Sequence, residues 1–195
     1  MGQAVAIALG AARSRHADRR SIPSEPGQEA PPSGREIGLE AMARRRRAPF
    51  QVLVFPYRRR PDAELEVALF RRVDGGYWQG IAGGGHEGET PEDAARRETR
   101  EEAGIEPTGP WIALKPVLSV PVNVIRPDQR RHWPGWLTTI PCHPFAVETP
   151  QGPIRLSADH AEFRWVGRDE ARELVHWDTD RMALAALDVA LGARP

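Results

Sequence analysis

One cysteine, Cys142, stands in the 195 residues. That excludes an intramolecular disulfide and a thiolate zinc cluster, and it suits a reducing, cytoplasmic compartment. No stretch approaches the roughly 18 apolar residues of a membrane span. Net charge is absent as well, since 27 Lys+Arg balance 27 Asp+Glu. A neutral chain is a poor general binder of nucleic acid. Aromatic residues are missing from the first part of the chain; all 13 lie at or after Phe50.

What is there divides into two polypeptides of opposite sign. Residues 1–47 hold nine Arg against five acids, net +4; residues 48–195 hold 18 basic against 22 acidic residues, net −4. From Gly10 to Arg47 the only large apolar side chains are Ile22, Ile37, Leu39 and Met42. Such a segment buries too little apolar surface to offset its ordering entropy. Residues 1–47 therefore read as a disordered N-terminal extension carrying no chemistry, and residues 48–195 as one domain. The opening apolar run lacks the positive n-region of a signal peptide, Ala6 breaks the myristoylation pattern, and Met42 is an alternative start. Arg44–Arg47 reads as a solvated lead-in to the first strand, with a nucleic-acid or localisation patch as the rival reading.

Within the domain, residues 50–56 (FQVLVFP) form a buried strand. Arg60-Pro61-Asp62 is turn chemistry, and Leu65, Val67 and Leu69 alternate with Glu64, Glu66 and Ala68 as the returning strand of a hairpin. Glycine then concentrates from Gly75 to Gly88. A helix follows, with Thr90 as N-cap, Pro91 at its first position, Asp93 in capping-box position and Gly104 as its stop. Strand-like segments recur at 111–120, 135–146 and 162–167. Two helices close the chain, the last from about Asp180 with Leu184, Leu187 and Leu191 on one face. This order implies an α/β fold, a mixed β-sheet sandwiched between α-helices.

The helix from Pro91 to Ala103 carries Glu98, Glu101 and Glu102 at i, i+3 and i+4, within about 60° of one another. Clustered like charges need a compensator, either arginine partners such as Arg97 and Arg100 or a hard divalent cation bound through oxygen. Imidazole is a poor ligand for Mg²⁺, so His86 reads as a loop residue. Cys142 reads as a buried, inert thiol.

The spacing Gly83, five residues, Glu89, seven residues, Arg97-Glu98, Glu101-Glu102, then Gly104-Ile105 resembles the Nudix box, G-x5-E-x7-R-E-U-x-E-E-x-G-U. The likeness to Nudix hydrolases extends through most of residues 50–190. Thr99 departs from the pattern at an aliphatic position, and Ala82 and Gly85 stand where a Pro and an aliphatic residue are common. The resemblance implies the Nudix fold and hydrolysis of a nucleoside diphosphate linked to another group. It implies Mg²⁺, with Mn²⁺ as a substitute, held by Glu101, Glu102, Glu98 and the carbonyl of Ala82. Glu98 would orient the attacking water, and Arg97 would pair with Glu89. Gly83, Glu89 and Gly104 are structural box residues.

Two longer stretches, VALFRRVDGGYWQGIAGG and SADHAEFRWVGRDEARELVHWDTDRMALAAL, resemble bacterial dihydroneopterin triphosphate (dATP) pyrophosphohydrolases. That likeness makes Arg71, Arg72 and Trp78 substrate-contact candidates and Asp159 a further metal ligand, with a strand end, a core anchor and a turn residue as the respective plain readings. A dinucleoside polyphosphate hydrolase and a non-catalytic nucleotide-sensing module are the alternatives. The expected partner is a small nucleotide or pterin polyphosphate, not a membrane or a specific nucleic acid, and homodimers are frequent in the family. Deleting residues 1–47 is expected to leave hydrolysis unchanged.

Overall fold

The computed structural model describes residues 46–61, 64–106, 109–149 and 152–192. The expected disordered extension up to residue 45, the alternative start at Met42 and the turn residue Asp62 lie outside them. Along the chain the elements are β1 (Arg47–Arg59), β2 (Leu65–Arg72), β3 (Trp78–Gln79), β4 (Ile81–His86), α1 (Pro91–Ala103), β5 (Trp111–Ala113) and β6 (Leu118–Pro121). A 3₁₀ turn at Val122–Val124 then precedes α2 (Pro127–Arg130), β7 (Thr139–Glu148), β8 (His160–Gly167), α3 (Arg168–Leu174) and α4 (Asp178–Ala190).

β1 organises everything around it. It pairs antiparallel with β2 and β4 and parallel with β7, giving one mixed sheet of eight strands. Its apolar run is continuous because both faces are covered, and successive side chains point to opposite sides. Val52 and Val54 join Ala68, Phe70 and Ile81 under Ala94, Ala95 and Ala103 of α1. Leu53, Phe55 and Tyr57 join Val67 and Leu69 under Ala171, Ala183, Leu184 and Leu187 of α3 and α4. Each fully buried aliphatic or aromatic side chain stabilises the fold by about 1.5–3 kcal/mol. The expected mixed sheet between helices is what forms.

Several boundaries differ from the sequence reading. The segment 111–120 divides into β5 and β6, since Pro116 has no N–H to give a ladder. Residues 135–138 do not join β7, and the last helix begins two residues earlier than expected. β1 begins at Arg47, whose register partner is His86. The boundary drawn after residue 47 therefore falls one residue late, and Arg47 belongs to the sheet.

Asp180 ties the terminal helix to the glycine-rich strands. It is 2% exposed and accepts the Gly80 N–H at 2.9 Å. Burial pushes its carboxyl up to about 7, against roughly 3.9 in an unfolded chain. Folding thus takes up a proton between those values, and stability falls as pH rises from about 4 to about 7. Asp180→Asn removes that slope while keeping an acceptor for Gly80. Urea unfolding of both proteins at pH 4.5 and 7.5 should show the variant gaining on the parent by a few kcal/mol at the higher pH. A pH-independent difference would refute this account.

Candidate functional site

The box helix α1 is delimited by its own residues. Thr90 Oγ1 accepts the Asp93 N–H at 3.1 Å, Pro91 needs no partner for an N–H it lacks, and Gly104 ends the helix at φ 62°. That left-handed conformation favours glycine. Between these ends the face that carries Ala94, Ala95 and Ala103 into the core also carries Glu98 and Glu102 toward β4.

The three glutamates occupy different environments. Glu98 and Glu102 are buried, whereas the Glu101 side chain is 58% exposed. Glu98 lies against Gly83, where any Cβ would overlap its carboxyl carbon, so the helix can approach β4 only over a glycine. Gly85 likewise leaves room for the Phe50 ring; that ring fills the space an aliphatic side chain would take.

Arg97 binds the cluster together. Its Nε and Nη2 donate to the two carboxylate oxygens of Glu89 at 2.8 and 3.1 Å. Nη1 donates to Glu98 at 2.8 Å and to Glu101 at 3.0 Å, and Nη2 also reaches the Gly84 carbonyl at 2.8 Å. The pairing with Glu89 that the resemblance implied is present, and it staples the loop to the helix.

Among the described residues no arginine hydrogen-bonds Glu102, and Arg72 acts on it only through its charge. Burial, then the Glu98 charge, pushes its carboxyl up to about 8, while Arg72 and the Ala82 backbone amide act in the opposite direction. Among the described residues its Oε2 is buried without a hydrogen-bond partner. His160 Nε2 lies 3.8 Å from that oxygen, and among the described residues neither ring nitrogen of His160 has a hydrogen-bond partner. Burial, then Arg72, lowers the His160 pKa, and so both work against an imidazolium beside Glu102. An orphaned carboxylate oxygen next to a second buried carboxylate is a hard-oxygen donor set, which fits a divalent cation of the Mg²⁺ class. Among the described residues no three His, Cys, Asp or Glu side chains close around one point. Arg97 holds one oxygen of Glu98 and one of Glu101, so the match is one of donor type.

The substrate-contact candidates separate by strand periodicity. Adjacent residues of β2 face opposite ways. Arg72 sits on the box-helix side, 18% exposed, bonded to Asp74 at 2.8 Å and 3.9 Å from Asp159. Arg71 faces the other way and pairs with Glu162 at 3.3 Å. Trp78, opposite Arg71 in the ladder, packs on the core of α3 and α4 with the Arg164 guanidinium over its ring. The structure therefore brings Arg72 toward Glu102 but places Arg71 and Trp78 on the opposite face. Asp159 is an exposed turn residue whose carbonyl accepts the Val73 N–H; its carboxylate lies by Arg72, not on the glutamates. Thr99 is a fully buried packing residue. Cys142 is 1% exposed, and burial pushes its thiol up to about 12, leaving it inert.

Sequence reasoning missed the neighbours on the far side of Glu98. A cleft of about 460 Å³ opens there, lined by Arg46, Arg47, Gly84, Glu98, Arg131 and His132 among others. The basic residues of this wall come from the start of β1, which the sequence presents as a solvated lead-in, and from the connection between β6 and β7, which it presents as a Pro-rich turn. His160 is visible in the sequence as the histidine of the acid-His element in SADHAEFRW, but the sequence assigns it no role; its place beside Glu102 comes from the fold.

Residues 47–187 match the model of the NUDIX domain. Dihydroneopterin triphosphate diphosphatase of Escherichia coli K12 is 27% identical over 137 residues, covering 70% of this chain and 89% of that protein. An octanoyltransferase of Myxococcus xanthus is 30% identical over 115 residues, covering 59% of this chain; the chain spans only 29% of that relative's length. A solved NUDIX hydrolase structure from Listeria monocytogenes is 27% identical and superposes with a TM-score of 0.64 over 75% of this chain and 97% of its own. Among the described residues no helix is long and apolar enough to cross a membrane.

Proposed function

This chain belongs to the Nudix hydrolase family, and from that premise we propose that it hydrolyses a phosphoric anhydride bond of a nucleoside or pterin triphosphate, releasing pyrophosphate. Mg²⁺, with Mn²⁺ as a substitute, would be held by Glu98, Glu101, Glu102 and the Ala82 carbonyl. Bound there, the cation would lower the charge on the leaving phosphate and favour an ionised water. The observation that carries this reading is the orphaned Glu102 oxygen beside buried Glu98. Once ionised, those carboxylates would repel a polyphosphate unless a cation lay between them. Glu98, whose pKa is raised by burial despite Arg97, would orient the attacking water. Arg97 keeps it there, and Arg72 supplies positive charge on the Glu102 side. The lone, inert Cys142 fits a cytoplasmic setting.

The intact set of box carboxylates favours an enzyme over a nucleotide-sensing module. The test is turnover of dATP, dihydroneopterin triphosphate and diadenosine tetraphosphate by the purified protein with Mg²⁺, Mn²⁺ or EDTA. Pyrophosphate should appear from the first two, none of the third should react, and EDTA should abolish activity. Turnover of the tetraphosphate alone moves the assignment to a dinucleoside polyphosphate hydrolase. Tight nucleotide binding without turnover would make the protein a sensor.

A further inference from the structure

We infer that the cleft between the start of β1 and the β6–β7 connection receives the substrate's polyphosphate chain, with Arg47 and Arg131 as its phosphate-contacting residues. This rests on the hydrolase reading and adds the residues that hold the substrate against the glutamates. The cleft of about 460 Å³ lies within the size range of small-molecule sites. Its floor includes Gly84 and Glu98, so it is continuous with the box. A chain of phosphates lying in it ends at the hydrolytic carboxylates.

Charge decides what the cleft prefers. Of its two acids, Glu98 is bonded to Arg97 and Asp128 to Arg126 at 3.2 Å. Among the described residues neither the Arg46 nor the Arg131 guanidinium has a hydrogen-bonded or ion-paired partner; the Arg46 backbone carbonyl accepts the Glu87 N–H. The wall is thus a local surplus of positive charge in a domain whose total is net negative.

Arg47 has the most specific geometry. Its guanidinium lies against Gly84, where a Cβ would overlap it. Two amide oxygens hold it, Gln129 Oε1 at 3.3 Å and Gln51 Oε1 at 3.4 Å. Both bonds are long, and neither acceptor is charged. Among the described residues its Nε is buried without a hydrogen-bond partner. A half-buried guanidinium held by neutral groups beside an open cleft suits an incoming oxyanion, since its planar fork matches phosphate oxygens. The backbone is fixed in advance: Trp133 Nε1 donates to the Arg47 carbonyl at 2.9 Å, and His132 Nε2 lies 2.8 Å from the same oxygen. Strand and connection therefore form one wall, which also carries Arg131.

The experiment pairs Arg131→Ala, at an exposed position, with Arg47→Lys, which keeps the charge but loses the fork. Two measurements are made on the full chain: KM and kcat for whichever triphosphate the parent hydrolyses, and calorimetric binding of inorganic tripolyphosphate with Mg²⁺. Each variant should raise KM and the tripolyphosphate Kd about tenfold, equal to about 1.4 kcal/mol, with kcat changed less than about threefold. Tripolyphosphate binding within twofold of the parent in both variants would overturn the inference. Should the parent hydrolyse no triphosphate, the functional reading fails by itself, and the tripolyphosphate titration still decides whether this cleft binds polyphosphate.

Discussion

Glu102→Gln should lower kcat roughly 10³-fold or more, equivalent to about 4 kcal/mol of barrier, without weakening the fold. The variant keeps the shape of the side chain and an oxygen for the Ala82 amide, and it removes only the charge available to a cation. The stability half of this expectation follows from the carboxyl's surroundings. Burial and the Glu98 charge push the folded-state pKa up to about 8, whereas an unfolded glutamate titrates near 4.3. Between those values the folded protein holds a proton that the unfolded chain has released. Metal-free parent protein therefore loses stability as pH rises from about 4.5 to about 8, and a glutamine at this position does not. Thermal melts in EDTA should show the two proteins close together at pH 4.5 and the variant higher at pH 8. Near-parental kcat would show that Glu102 is not a metal ligand, and a lower melting temperature at pH 8 would show that its charge supports the fold. Glu101→Gln makes the contrast. It is exposed and held by Arg97, so it should lose turnover without the pH-dependent gain.

How much of this was legible beforehand depends on how local each cause is. α1 was read to the residue because Thr90, Pro91 and Gly104 act on the backbone beside them. The two-sided burial of β1 was legible in its unbroken apolar run. The Arg97–Glu89 bond was legible only through the family likeness, since nothing in the spacing alone distinguishes it from a solvated ion pair. Arg71 and Arg72 could have been separated by the two-residue period of a strand. Which of them faces the box helix, however, depends on the faces of β2, set by Val67, Leu69 and Phe70 in the core. Arg47 was not legible at all. It closes a run of arginines that looks like solvated chain, and its role comes from contacts with Gln129, His132 and Trp133, more than 80 positions away. The inequality among the three glutamates was hidden for a similar reason. Helical spacing puts them on one face, but the depth at which each sits is set by Gly83 and by where Arg97 reaches. The deletion of residues 1–47 that the sequence suggested would remove Arg47 from the sheet, whereas one that ends at residue 46 leaves β1 whole.

Arg97→Ala should cost about 3–5 kcal/mol, because it strands buried carboxylates that lose their counter-charge. In a domain of this size that lowers the melting temperature by roughly 6–20 °C. Arg97→Lys should recover only part of the loss: an ammonium cannot reproduce the paired bonds to Glu89 together with those to Glu98, Glu101 and the Gly84 carbonyl. The pH dependence identifies the cause. Burial by itself would raise the Glu89 carboxyl, but the Arg97 bonds and the His86 amide outweigh it and hold the pKa below the usual range. A lowered folded-state pKa contributes stability that is present above the unfolded value and is lost as pH falls through the folded one. Without Arg97 the largest opponent of burial at Glu89 is gone, leaving only the His86 contributions against it, and the stability its lowered pKa supplied above the unfolded value shrinks. Glu98, already raised by burial, moves the same way once the guanidinium is gone. Urea unfolding at pH 5 and pH 8 should therefore show the gap between parent and Arg97→Ala widening at pH 8. A gap independent of pH would mean that Arg97 acts through packing rather than charge. Turnover should fall in both variants in proportion to the lost placement of Glu98, since the group that neutralises the cluster is also the one that aims it.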